Sequence, residues 1–228
     1  PYTYMEGDRP PDPAAAVPWR FCPKCRPNAD PKTLVDAEAA RLANVGARNA
    51  YWEQQLGLKL QWGETRHLTV HAELTPAATR NVLVQLDKLT ARLQADKKCT
   101  VLTPARPDTH ELIILWDTPG YEKMLNVMAQ QNPGQDWELA RKATGVRMRN
   151  LSFFNARRGT QTPPEHMALF QCSQMLMDEA TETRAPSWLR EGFGACCENL
   201  ILQKNLCYSF AYEPNQVKFG PNWNAEIR

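Results

Sequence analysis

No stretch of 18 apolar residues occurs in the 228-residue chain, which excludes a membrane-spanning helix. No excess of basic charge exists either. Lys and Arg number 27 against 25 Asp and Glu, a net charge of +2, whereas proteins whose main partner is nucleic acid usually carry a strong basic surplus. No internal repeat, low-complexity tract or signal-peptide pattern is visible. The chain begins at Pro1 in place of Met, so a leader or a longer N-terminal portion is expected to have been removed or to lie outside it. What is present is 43% hydrophobic and 23% charged. That suits a globular protein with one sizeable core or two small ones.

A second CxxC is also missing. Cys22-Pro23-Lys24-Cys25 stands alone among prolines. It does not open a helix after a strand, which argues against thioredoxin chemistry. Arg26 follows Cys25 where a c-type haem site would need His. Cysteine is nevertheless plentiful, at seven. Cys172, Cys196 and Cys197 fall in apolar helical sequence and read as small buried hydrophobes. Cys22, Cys25, Cys99 and Cys207 fall in loops or at element ends and are disulfide candidates. Zinc on Cys22 and Cys25 with two distant ligands is the second reading. Disulfides imply an oxidising compartment, so an extracytoplasmic (periplasmic or secreted) location is expected.

Along the chain, residues 1–33 form an extended, proline-rich arm carrying Tyr2, Tyr4, Trp19 and Phe21. Such aromatic content in a segment without helical or strand period suggests an arm lying on its own domain or on a partner. Residues 34–204 read as a single α+β domain, a small mixed sheet packed on helices. Helical periodicity predicts helices over 33–56 and 76–95, the latter with Val82, Leu83, Leu86, Leu89 and Leu93 as its buried stripe. Two short strands, 58–62 and 67–72, are expected around a turn at Gly63-Glu64. On the second, His67 and His71 share a face, which fits a metal pair or, more plainly, packing or surface histidines. The run 111–116 predicts a central strand. Helices are expected from Pro119 and over 136–144, and one strand over 145–156. Residues 205–228 form an aromatic, extended tail.

The stretch 162–199 holds two helix signatures in succession. Thr162, Pro163 and Glu165 predict a capping box with proline at the first helical position. Pro186 and Ser187 open the second helix, whose apolar residues include Trp188, Leu189, Phe193, Cys196, Cys197, Leu200 and Ile201.

This second helix resembles a signature of the gluzincin (peptidase-MA-like) zinc metallopeptidases. In that family one helix carries HExxH, and the next carries a WLNEGFA-type motif whose Glu is the third metal ligand. Trp188-Leu189-Arg190-Glu191-Gly192-Phe193-Gly194 matches the latter. The preceding helix reads His166-Met167-Ala168-Leu169-Phe170. The resemblance covers the last third of the chain by motif, and more only by order of elements. It implies that His166 and Glu191 are vestigial ligand positions, and that Met167, Phe170 and Trp188 line a vestigial groove. Met167 stands for the general-base Glu and Phe170 for the second His. It also implies that the strand before the motif helix, 151–155, edges the cleft.

Chemistry then weighs against catalysis. A catalytic zinc needs three protein ligands and an open position for water. A phenyl ring cannot bind zinc, and a thioether cannot take a proton from zinc-bound water. No catalytic residue, resident metal or other cofactor is expected. The expected role is a non-catalytic peptidase-like domain, a binding or structural subunit joined to a protein partner or to further copies through its terminal arms. One alternative is a divergent zinc metallopeptidase using His166 and Glu191 with Glu165, Cys172 or Glu198. Glu165 lies ~100° around the helix from His166, which works against both reaching one metal. The other alternative is an unrelated structural α+β domain, with His166 a core histidine and Glu191 a helix-start charge or a partner of Arg190.

Overall fold

The computed structural model describes residues 4–5, 30–65, 68–95, 110–148, 150–157, 162–182 and 184–207. Its centre is strand β4 (Glu111–Leu115), the apolar run ELIIL, buried at every position. Strands buried on both faces favour continuous hydrophobic sequence, and this segment supplies it. β4 runs parallel to β3 (Thr69–Ala72) on one side and to β6 (Leu151–Asn155) on the other. β2 (Gln61–Glu64) pairs antiparallel with β3, and β5 (Gly145–Arg147) antiparallel with β6. The two-residue strand β1 (Tyr4–Met5) adds to the outer side of β2, opposite Glu64 and Gly63. The order is β1-β2-β3-β4-β6-β5, a five-stranded mixed sheet with one short addition from the N-terminal arm.

Among the described residues six helices cover the sheet. On one face lie α1 (Pro31–Leu56) and α3 (Thr118–Gln131), with the short α4 (Glu138–Lys142) packed on α3. Trp52, Leu56, Tyr121, Met124 and Leu125 meet Ile113, Leu115 and Phe153 there. On the other face α2 (Pro76–Ala95), α5 (Pro164–Ala180) and α6 (Ser187–Leu202) meet Val70, Ala72, Leu112, Ile114 and Phe154. The predicted α2 stripe is buried throughout. Each fully buried leucine of that stripe contributes about 1.5–3 kcal/mol. The expected mixture of sheet and helix is therefore found, as a sandwich with helices on both faces. Among the described residues no helix is long and apolar enough to cross a membrane.

Local chemistry explains several boundaries. Asp30 caps α1, its carboxylate accepting from Thr33 N at 3.0 Å, and Pro31 takes the first turn. Gly57 ends α1 at φ 61°, a conformation suited to glycine. Asp117 caps α3 in the same way, accepting from Gly120 N at 3.0 Å.

Four expectations differ from the structure. Gly63 and Glu64 do not turn; they pair with Val70 and Thr69 in β2, and the chain reverses after Thr65, whose N–H meets Leu68 O at 3.0 Å. Glu64 is held there by Arg41 of α1. The expected early start at residue 58 fails because Leu60 N donates instead to the Glu53 carboxylate, 2.9 Å away. The expected strand over 145–156 is two strands, closed by Met148 N to Leu151 O at 2.7 Å, with turn-prone Asn150 between them. The strand order places β5 outside β6 at this end of the sheet. Finally, α5 starts at Pro164, and its N-cap is Pro163, extended at φ −58° and ψ 148° without a side-chain capping bond. A residue before proline is pushed out of the helical region, so Pro164 prevents the capping box that Thr162 and Glu165 suggested.

Candidate functional site at the α5–α6 pair

α5 and α6 lie antiparallel, and their register is set by one close approach. A Cβ on Gly194 would lie 2.9 Å from Cδ2 of Phe170 and 3.2 Å from its carbonyl oxygen. Only glycine lets the two helices meet here, and the Phe170 ring, 5% exposed, fills the seam. One turn toward the start of α5, His166 faces Glu198, with Nδ1 2.6 Å from Oε1. At the other end Asp178 faces Arg190, whose Nη1 donates to Oδ1 at 3.0 Å.

Glu198 is fully buried. Besides His166 it accepts from Leu206 N at 2.7 Å and Cys207 N at 3.3 Å, fastening the chain beyond α6 to the start of α5. Burial pushes its carboxyl above the usual range, more than hydrogen bonds from Leu206, His166 and Cys207 pull it down. Glu191, the motif carboxylate, is seven residues from Glu198, ~10 Å along the helix axis. It is half-buried, and burial likewise pushes it up against the pull of Arg147 and Arg190. The structure thus pairs His166 with Glu198 and not with Glu191. Met167 is half-buried against the core, with Gln171 Nε2 3.8 Å from its sulfur. Trp188 stands apart from Met167 and Phe170, 67% exposed on the first turn of α6.

Of the alternative ligand set, only His166 and Glu198 touch. Cys172 is buried in the core, its thiol pushed up to about 12 by burial and by Cys197. Among the described residues no three His, Cys, Asp or Glu side chains are grouped to hold a metal ion. Of the cysteines, Cys196 is exposed rather than buried as expected, and Cys207 is a buried free thiol rather than a disulfide partner. Its thiol is pushed up by burial and by Glu198. Cys22, Cys25 and Cys99 lie outside the described residues, as does His67. His71 is buried under α1, its Nδ1 2.8 Å from Asn49 Oδ1.

Two polar groups escaped sequence reasoning. At the edge strand, Arg147 donates through Nε to Asp178 Oδ2 at 2.8 Å and through Nη1 to Gln174 Oε1, so that Arg147 and Arg190 share Asp178. An Asp in the last turns of an apolar helix was the available signal. On the opposite face Glu111 accepts from Arg48 Nη2 at 2.7 Å and lies 3.4 Å from Trp52 Nε1, with His71 Nε2 at 3.8 Å. Burial alone would raise this carboxyl. Hydrogen bonds and charge from His71 and Arg48 outweigh burial and hold it at about 2.

No family model matches this chain, and neither a curated protein nor a solved structure is found to match it.

Proposed function

We propose that this chain is a non-catalytic peptidase-like domain, a binding or structural subunit of a larger assembly. The observation that carries the reading is the Phe170–Gly194 contact. In a gluzincin-like helix pair the side chain one turn after the first histidine would hold metal. Here it is an apolar ring wedged against the facing helix, and His166 is engaged by Glu198. Water activation would also lack its base, since Met167 cannot carry a proton, a deficit of about 10²–10⁴ in rate. The N-terminal arm supports an assembly role. Tyr4–Met5 already adds a strand to the sheet edge, the geometry by which extended segments join another chain. The aromatic tail after Cys207 and the extracytoplasmic location, resting on Cys22, Cys25 and Cys99, belong to the same proposal.

One observation favours the divergent peptidase instead. Metal-binding histidines usually bond a carboxylate through the second ring nitrogen, and His166 Nδ1 does so with Glu198. Metal analysis of native protein separates the readings. The non-catalytic reading expects no stoichiometric zinc in wild type and zinc uptake only after Met167→Glu with Phe170→His. Tightly bound zinc in wild type would sink it. For the assembly role, native-state mass measurement is expected to show the chain within a larger complex, weakened by deleting residues 1–18.

A further inference from the structure

We propose that the chain's own C-terminal segment, residues 208–212, docks across the exposed apolar face of α6. The inference goes beyond the binding-subunit reading: it gives the tail a seat on its own domain, from which a partner taking the tail would first displace it.

α6 carries its charges on the wrong side for a surface helix. Of its 16 residues only Gly194, Cys197 and Glu198 are buried. A surface helix ordinarily turns an apolar stripe to the core and its charges to water. At ~100° per residue, Trp188, Leu189, Gly192, Cys196 and Leu200 instead fall within an arc of about 120° on the side away from Gly194. All five are exposed. The charged residues of the helix, Arg190, Glu191 and Glu198, lie in the other half of its circumference, and Asn199 is the one polar side chain inside the arc. An apolar face unbroken by charge marks a contact surface.

The tail is the occupant that position, length and composition favour. The described residues end at Cys207, whose N–H, with that of Leu206, is bonded to Glu198 of α6. The next residues therefore start against this helix, and the tether holds them near it at high effective concentration, which a second copy lacks. Residues 208–228 follow. The arc from residue 188 to residue 200 is ~18 Å long, and about six extended residues span it. Residues 208–212 read Tyr-Ser-Phe-Ala-Tyr, with a ring at every second position and no charge before Glu213. An extended segment of that pattern puts its rings on one side ~7 Å apart, close to the ~6 Å between residues four apart on a helix. Running back along α6, Tyr208 would meet Leu200 and Phe210 would meet Cys196. Tyr212 would then fill the space over Gly192 beside Trp188, where a Cβ on the glycine would meet nothing within 4 Å.

The test uses the full chain and the exposed thiol of Cys196. Its alkylation by iodoacetamide is followed by peptide mass mapping in wild type and in a variant with Tyr208→Ser, Phe210→Ser and Tyr212→Ser, which keeps the length of the tail. A tail docked about nine-tenths of the time shields Cys196, so the variant is expected to react about tenfold faster. The buried thiols of Cys172 and Cys197 should stay unreactive in both, which checks the fold. A second variant, Phe210→Cys, is treated with oxidised glutathione. It is expected to join Cys196 to the introduced thiol within one chain, at a rate unchanged by dilution. Equal Cys196 rates in wild type and the serine variant would overturn the docking, both fast meaning an open face and both slow another occupant. A bond that forms only between chains, or slows on dilution, would overturn it in favour of a second copy. Either failure leaves the binding-subunit reading standing, since the native complex decides that reading.

Discussion

On the α1 face Glu111 sits among Arg48, Asn49, Trp52 and His71, whereas on the α5–α6 face Glu198 has one histidine and two backbone amides. Both carboxylates are buried, yet one is driven down to about 2 and the other upward. The difference is the guanidinium. A full positive charge in contact outweighs desolvation, and dipoles with a histidine do not. The arginines of the second face are gathered instead at the far end of α5–α6, around Asp178. Each face keeps a buried nitrogen without a hydrogen-bond partner, His71 Nε2 on the first and Arg190 Nε and Gln174 Nε2 on the second.

The sharpest way to break this comparison is to delete each carboxylate. Glu198→Ala strands His166 Nδ1 and the amides of Leu206 and Cys207, so a loss of about 3–5 kcal/mol in urea unfolding is expected. A loss no larger than that of an exposed residue would show that the contacts do not hold the chain after α6. Glu111 is read by pH. Its folded value lies below the ordinary 4.5, so its stabilisation is present above about pH 4.5 and fades as pH falls toward 2. The drop from 4.5 to about 2, at ~1.4 kcal/mol per pH unit, is worth about 3 kcal/mol. Glu111→Gln should flatten the acid limb of a stability-against-pH curve by that order, and an unchanged limb would place the charge elsewhere.

Smaller effects sharpen the picture within the helix pair. Gly194→Ala would ordinarily favour a helix by about 1 kcal/mol. Against Phe170 it should instead cost about 1–2 kcal/mol in thermal or urea unfolding, because the new methyl overlaps the ring. A stabilised variant would mean that α5 and α6 approach less closely. Glu191→Gln should move stability by no more than about 0.5 kcal/mol. The sign follows from its raised carboxyl: folding favours the protonated form, so its contribution is present at low pH and lost as pH rises through the folded value. The variant should therefore gain slightly at neutral pH and not at pH 4; the opposite trend would mean that Glu191 is firmly paired with Arg147 or Arg190.

Much of the fold was legible in order along the chain. Helix Pro76–Ala95 follows from apolar period, and strand Glu111–Leu115 from a continuous apolar run that suits burial on both faces. Pro163 and Pro164 were legible too, had the restriction on a residue before proline been applied to the first of them. The split of residues 145–156 into Gly145–Arg147 and Leu151–Asn155 was less so, because two strands of one hairpin share β-forming composition with a single long strand.

The candidate site divides along the same line. The residues of WLREG and of His166–Phe170 are local facts of sequence, and the expectation of missing metal ligands rests on them alone. Which carboxylate His166 meets, whether Trp188 lies in the seam or in solvent, and which arginines share Asp178 depend on how α6 slides and turns against α5. That choice was made by tertiary structure, through the single approach of Gly194 to Phe170. Helix periodicity sets which residues share a face, but not the register between two faces, which close packing decides.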